Sequence, residues 1–150
     1  MKRLFLLFLT LALFLPACAK QSGSQDDPRK QLFSISEFAS LTRADDDFVE
    51  TNFGDPDYLD EGEVYFSDKG EVGFFLLEDT RYVQEMIKSI ERYLSTERDS
   101  LLALAELYPT NELETRLRRF DHAKVEARGA LVYYLLLDPE LMEAASAAMK

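Results

Sequence analysis

Hydrophobic and polar positions in the first third of the folded part predict two short helices. Ser36 with Glu37 is typical of a helix start, and the residues that follow carry this helix to Leu41. A second helix is predicted for residues 45–53, because its apolar residues share one side and Gly54 then supplies the glycine that commonly ends a helix. The Asp-Pro-Asp sequence that follows predicts a turn.

Two β-rich runs, residues 63–66 and residues 71–76, follow this turn. The four residues between them, Ser67-Asp68-Lys69-Gly70, are typical of a hairpin connection that places glycine near the left-handed position. A lone hairpin is marginally stable in water, so we expect it to lie on helices or to pair with further strands.

Apolar residues recur at every third or fourth position over residues 83–108, which predicts a long helix ended by Pro109. Asp79 or Thr80 would cap this helix, and Ser95-Thr96 would either break or bend it.

A further apolar stripe over residues 113–135 predicts a second long helix. Gly129 weakens that interpretation, and residues 130–137 can instead supply a buried strand, so the pattern leaves both open. Asp138-Pro139 predicts the start of a terminal helix over residues 140–149. The predicted fold class is α+β: a small β-hairpin packed on a mainly helical domain with a long helical hairpin.

The N-terminal segment has the pattern of an export signal. Lys2 and Arg3 precede an apolar run over residues 4–15 that only Thr10 interrupts. A helix of that length spans about 18 Å, which is too short for a bilayer core of about 30 Å. The run therefore indicates a signal peptide rather than a transmembrane helix.

Leu15-Pro16-Ala17-Cys18 ends this run and resembles the bacterial lipobox. The resemblance implies cleavage after residue 17, attachment of diacylglycerol to the Cys18 thiol and, commonly, a fatty acid such as palmitate on the new amine. Ala17-Cys18-Ala19 also matches an ordinary signal-peptidase site, which would release a soluble protein that begins at Lys20. Ala19 would be the second residue of the mature chain, and alanine at that position resembles the pattern that allows transport of a lipoprotein to an outer membrane. The expected location is the outer membrane or the periplasmic face of the inner membrane.

Three regions follow from this pattern. Residues 1–17 are the predicted signal peptide, residues 18–31 are the lipidated cysteine with a flexible tether, and residues 32–150 are a single acidic globular domain. The tether is polar throughout residues 20–31, and a coil of that length spans about 20 Å. It would hold the domain just clear of the lipid headgroups.

Net charge narrows the set of partners. The formal charge is −11 for the whole chain, and removal of Lys2 and Arg3 with the leader makes it two units more negative. Such a surface repels nucleic acid and anionic headgroups, so neither is expected as a direct ligand. The single cysteine excludes an intramolecular disulfide.

A helix, the sequence Phe53-Gly54-Asp55-Pro56-Asp57 and two strands follow one another. This order resembles the start of the small outer-membrane assembly lipoproteins of the SmpA/OmlA type. It covers about thirty residues, with Gly54 and Pro56 as its fixed points, and the long helical second half departs from that family.

Ten acidic residues and no Lys or Arg lie between Ala44 and Asp68, and we call this stretch the acidic segment. Its spacing does not match an EF-hand, because the position that requires glycine is Asp60. A solvated surface is the expected role. The alternative is a cation site formed by Asp55, Asp57, Asp60 and Glu61.

The remaining candidates for chemistry are few. The basic cluster consists of Arg116, Arg118, Arg119, Lys124 and Arg128. Its side chains are expected to form ion pairs with the acidic segment or to face solvent. His122 is the only histidine and lacks the companions of a zinc site. Since no nucleophile elbow or phosphate loop occurs either, the sequence predicts no catalytic residues, no metal ligands and no cofactor.

The leading expectation is therefore a non-enzymatic envelope lipoprotein, an accessory or scaffold that binds another envelope protein and the membrane through Cys18. The alternatives are a small-ligand or cation-binding lipoprotein that uses the acidic segment, and an envelope hydrolase. A deep pocket with converging polar groups would favour the alternatives, and a flat apolar patch would favour the scaffold.

Overall fold

A computed structural model describes residues 27–38 and 40–150 of the chain. The predicted signal peptide, Cys18 and most of the predicted tether lie outside these residues. The architecture is α+β, which confirms the predicted fold class: an antiparallel sheet carries helices on both of its faces.

Within the described residues, five α-helices and five strands alternate irregularly. The helices are α1 (Pro28–Phe33), α2 (Asp46–Phe53), α3 (Val83–Leu107), α4 (Asn111–Phe120) and α5 (Pro139–Ala148). The strands are β1 (Thr42–Arg43), β2 (Leu59–Ser67), β3 (Gly70–Leu77), β4 (Lys124–Arg128) and β5 (Leu131–Leu137). The strand order is β1-β2-β3-β5-β4, and all pairs are antiparallel.

The predicted hairpin forms the β2–β3 pair near the centre of this sheet. Its strands are longer than predicted, so that only Asp68 and Lys69 connect them. Of the two predicted short helices, α2 is confirmed, with Asp45 as its cap and Gly54 in the left-handed region at its end (φ 83°). The other is only a single 3₁₀ turn, Ser36–Phe38.

The long helix α3 is continuous through Ser95 and Thr96. The Thr96 hydroxyl donates to the Arg92 carbonyl at 2.9 Å, so this residue satisfies its polar group inside the helix. Asp79 caps the 3₁₀ turn Thr80–Tyr82 that leads into α3, as one of the two predicted caps.

Of the two structures that the sequence leaves open for residues 130–137, the buried strand is confirmed, and the long helix over residues 113–135 is wrong. Helix α4 ends at Phe120, and β4 and β5 follow as a hairpin that turns at Gly129 (φ 62°). The run in β5 is apolar throughout because this inner strand is covered on both faces. Val132 and Tyr134 face one helical layer, and the residues that alternate with them along the strand face the other. A fully apolar run fits the residue pattern of a buried helix and that of a buried strand equally well, so the sequence does not distinguish them.

The core is divided by the sheet into two layers. Helices α2, α3 and α4 cover one face, where Phe53, Met86 and Ile90 pack on Phe75. Helices α1 and α5 cover the other face, where Leu32 and Met142 are buried.

Ordered structure is already present at Asp27, five residues before the predicted domain boundary at Leu32. Asp27 caps α1 through a 3.0 Å bond from the Arg29 backbone N–H, and Pro28 occupies the first helical turn. The Arg29 side chain then crosses to the sheet and pairs with Glu61 at 2.9 Å and Glu63 at 3.2 Å. Residues 28–31, which the sequence places in the flexible tether, therefore belong to a helix.

Removal of residues 27–31 should destabilise the domain. A chain that begins at Leu32 loses the α1 cap and leaves Glu63 without Arg29, and the combined cost should be about 1–2 kcal/mol. That corresponds to a melting temperature about 5 °C lower than that of a chain that begins at Asp27. Scanning calorimetry of the two chains checks this, and equal melting temperatures would restore the boundary at Leu32.

Candidate functional site

A cleft of about 690 Å³ opens between the α3–α4 helical hairpin and the end of the sheet that carries the β2–β3 turn. We call it the cleft. It lies on the face covered by α2, α3 and α4. Its walls combine aromatic rings with charged groups: Phe48, Phe66, Tyr93 and Phe120 among the former, and Glu71, Glu97, Arg116 and Arg119 among the latter.

Glu71 lies at the centre of the polar side of the cleft. It is the second residue of β3 and pairs with Phe66 on β2 and Leu136 on β5. Two tyrosine hydroxyls donate to its Oε1 atom: Tyr93 from α3 at 2.9 Å and Tyr134 from β5 at 2.6 Å. Both tyrosines are buried, so one carboxylate oxygen joins the helical layer to the sheet.

Gly73 makes room for this arrangement. It is on the same face of β3 as Glu71 and is paired with Tyr134 on β5. A Cβ atom at position 73 would overlap the Tyr134 ring, which therefore lies across the strand where a side chain would otherwise stand. The glycine thus allows the Tyr134 hydroxyl to reach Glu71.

Burial raises the pKa of Glu71 above its ordinary value, because the surrounding protein replaces the water that would solvate its charge. The tyrosine hydrogen bonds and Arg116 oppose this shift, and the neighbouring Glu97 adds to it. Burial and the nearby Glu71 charge also hold the pKa of Tyr93 and of Tyr134 well above the usual range, so both remain donors.

Glu71→Gln should stabilise the fold at neutral pH. Glutamine keeps an oxygen for the two tyrosines and removes the buried charge. Because folding raises the Glu71 pKa, its contribution is fully present in acid and is lost as pH rises through the folded-state pKa. The free energy of unfolding of the variant should therefore exceed that of the wild type by an amount that grows as pH rises from about 4 to about 8. Urea unfolding across this range measures the difference, and a wild-type advantage that grows with pH would contradict it.

Arg119 and Asp138 form an ion pair at one end of the cleft. The guanidinium Nε atom donates to Asp138 Oδ1 at 2.7 Å, and a terminal nitrogen donates to the Asp68 carbonyl at 2.6 Å. The Asp138 backbone N–H donates to the Lys69 carbonyl at 2.9 Å. These bonds join α4, the β2–β3 turn and the start of α5.

Of the acidic segment, only Asp68 lines the cleft, and a second, smaller pocket beside α2 is lined by Asp46, Glu50, Asp55, Asp60 and Glu61 together with Arg43. Asp45 caps α2, Asp46 pairs with Arg43 at 3.0 Å, and Glu63 accepts from both Arg29 and Arg43. The ion-pair partners of the acidic segment among the described residues are therefore Arg43, which directly precedes it, and Arg29 of helix α1. No group of three or more His, Cys, Asp or Glu side chains in the described part of the chain is placed to hold a metal ion.

The basic cluster does not form ion pairs with the acidic segment in the described residues. Arg116 lines the cleft, Arg118 donates to Thr115, and Lys124 donates to Ser146 at 2.8 Å. Arg119 reaches the segment only at the Asp68 carbonyl. Of the two roles expected from the sequence, ion pairing with the acidic segment is thus wrong, whereas exposure to solvent is confirmed for Arg116, Arg118 and Lys124.

His122 is exposed and does not line the cleft. Cys18 lies outside the described residues. Glu71, Glu97 and Gly73 were not singled out in the sequence, although one signal was present: Glu71 is the only charged residue of β3, in an otherwise apolar strand.

Comparisons with known proteins identify no relative of this chain. No family model, no curated protein and no solved structure matches this chain. Among the helices described, none is both long and apolar enough to cross a membrane. The function is therefore argued from the cleft and from the N-terminal sequence.

Proposed function

We propose that this chain is a lipid-anchored binding protein of the bacterial envelope: lipid on Cys18 holds it at a membrane, and the cleft binds a small molecule. The observation that carries the binding role is the cleft itself. Its volume of about 690 Å³ lies in the range of small-ligand sites, and its aromatic walls surround a few converging polar groups.

Binding is proposed in preference to catalysis because of how the polar groups are arranged. Glu71 Oε1 is occupied by two tyrosine hydroxyls, and Arg119 is held by Asp138. Neither group is paired with a nucleophile in the manner that covalent catalysis requires. The cleft also differs from the alternative drawn from the sequence, since Asp55, Asp57, Asp60 and Glu61 do not line it and its central carboxylate is Glu71.

The anchor is tested separately from the cleft. Wild-type protein should incorporate labelled palmitate and float with membranes, and Cys18→Ser should lose both properties. A mature wild-type chain that begins at Lys20 and carries no lipid would contradict the anchor without affecting the cleft.

The binding role is tested with a fluorescent reporter, because the chain contains no tryptophan. Thr115→Trp places an indole on the wall of the cleft, and Glu114→Trp places one on the exposed side of the same helix. In the full chain in lipid nanodiscs, fragment-sized molecules should change the emission of the first variant only. A complete fragment library that changes neither would contradict the proposed function.

A second candidate is docking of another envelope protein on the end of α3. The described residues there include two exposed apolar side chains, Leu107 (73% exposed) and Tyr108 (67% exposed), with Leu104 beside them. Exposed apolar groups that lie together are typical of interaction surfaces. A photocrosslinker at Leu107 should capture an envelope protein in intact cells, whereas one at the exposed Glu78 should not.

A further inference from the structure

On the basis of the proposed binding function, we infer that the ligand of the cleft is an amine with an apolar body, and that its ammonium group binds between Glu71 and Glu97. The ammonium would take the free oxygen of Glu71, and the apolar part would lie against the aromatic wall.

The hydrogen bonds of Glu71 leave one oxygen for a ligand. Oε1 accepts from Tyr93 and Tyr134, and Oε2 accepts no hydrogen bond from any described residue. Oε2 is also not sealed inside the protein, since no deeply buried polar atom is left without a partner in the described chain. A carboxylate only accepts when it is ionised, so the complementary ligand group is a donor.

Glu71 also forms no direct ion pair among the described residues, and Arg116 acts on its charge only from a distance. Among the described residues, no Lys or Arg nitrogen lies within ion-pair distance of Glu71 or of Glu97. Glu97 follows Tyr93 by one helical turn, so it projects from the same side of α3 into the cleft. Two carboxylates that face one cavity favour a cation between them.

The cations of the cleft do not remove this preference. Arg119 is engaged by Asp138 and by the Asp68 carbonyl, and the other two cations of the lining, Lys69 and Arg116, are exposed to solvent. An anionic ligand would have to approach Glu71 directly. A ligand ammonium instead replaces the water that burial removes from Glu71, and so it relieves the cost expressed in the raised pKa of that residue.

The aromatic wall supplies the second half of the specificity. Phe48 and Phe66 meet edge to face, with ring centroids 5.0 Å apart, and Phe48 and Tyr93 meet in the same way at 6.1 Å. Such a wall buries an apolar body, and ring faces attract a neighbouring ammonium. The two features together select an amphipathic amine over a small inorganic cation.

Three probes of similar shape test the inference by titration calorimetry on the full chain in nanodiscs. Phenethylamine carries the cation, 2-phenylethanol is neutral, and 3-phenylpropanoate carries an anion. Phenethylamine should bind at least about tenfold more tightly than the other two, as expected for a hydrogen bond to a charged group. Its affinity should rise from about pH 5 to about pH 8, because the amine stays protonated while Glu71, flanked by Tyr93, Tyr134, Glu97 and Arg116, becomes ionised.

Glu71→Gln separates the charge from the fold. Glutamine still accepts from Tyr93 and Tyr134, so the variant should fold while its affinity for phenethylamine falls at least about tenfold and loses its pH dependence. Glu126→Gln is the matched control, because Glu126 accepts from the Tyr133 hydroxyl at 2.7 Å on the opposite face of the sheet. That variant should bind phenethylamine as the wild type does.

The outcomes distinguish this inference from the proposed function. Binding of 2-phenylethanol or 3-phenylpropanoate at least as tight as that of phenethylamine would overturn the amine assignment and leave a small-molecule site. Undiminished phenethylamine binding in Glu71→Gln would overturn it as well. If none of the three probes binds and the Thr115→Trp reporter responds to no fragment, both proposals fail.

Discussion

Replacement of Arg119 by methionine should destabilise the fold by about 3 kcal/mol. Arg119 and Asp138 are only 13% and 11% exposed, so removal of the guanidinium leaves a largely buried carboxylate without its partner. The change also removes the donor to the Asp68 carbonyl, and with it one of the bonds that hold the β2–β3 turn to α4. For a domain of this size the melting temperature should fall by about 10 °C.

The neighbouring Arg118 provides the control for this prediction. It is exposed and donates only to Thr115 in its own helix, so Arg118→Met should cost less than about 0.5 kcal/mol. Arg119→Lys should fall between the two, because it keeps the charge but cannot bond Asp138 and the carbonyl together. Calorimetry of the three variants is the measurement, and equal melting temperatures for Arg118→Met and Arg119→Met would refute the role of the pair.

Replacement of Gly70 by alanine should cost about 3 kcal/mol or more. Gly70 begins β3 with φ at 134°, a conformation that side-chain-bearing residues rarely adopt. An added Cβ atom would also overlap the Leu136 carbonyl oxygen, so strand β3 could no longer approach β5 at this point. Since Glu71 is the next residue, the loss should extend to the cleft.

Gly129→Ala is the comparison for this substitution. Gly129 also has a positive φ, 62°, but nothing lies within 4 Å of the Cβ atom that alanine would add. Its cost should therefore be limited to backbone strain, about 1 kcal/mol. Urea unfolding of the two variants separates strain from overlap. A Gly70→Ala variant as stable as Gly129→Ala would mean that the two strands can separate at no cost.

The sequence correctly predicts the elements that begin or end at a capping or turn residue. Asp45 caps the start of α2 and Gly54 ends it, and the Ser67–Gly70 connection forms the hairpin. Caps and turns can be predicted because they depend on residues close in the chain. The sequence does not distinguish a strand from a helix for β5, because its uniformly apolar residues fit both periodicities. Its pairing with β3, which is distant in sequence, and with β4 makes it a strand.

The cleft could not be predicted from local sequence patterns either, because it also depends on contacts between residues that are distant in sequence. Glu71, Tyr93 and Tyr134 are separated by 22 and 63 residues along the chain, and their meeting depends on the order of strands in the sheet. A single glutamate in an apolar strand signals a buried carboxylate that needs donors, but it does not say which tyrosines supply them. The acidic segment has a high local density of charge in the sequence, but in the fold it contributes only Asp68 to the lining of the cleft.

The division of the helices between two faces of the sheet also places the first described residues and the cleft on opposite sides of the domain. The chain enters the described residues at Asp27, beside α1 and α5, whereas the cleft opens on the side of α3 and α4. Nine positions in the sequence separate Asp27 from Cys18. Lipid on Cys18, as proposed, would therefore attach the chain on the α1–α5 side, and the anchor would not cover the mouth of the cleft.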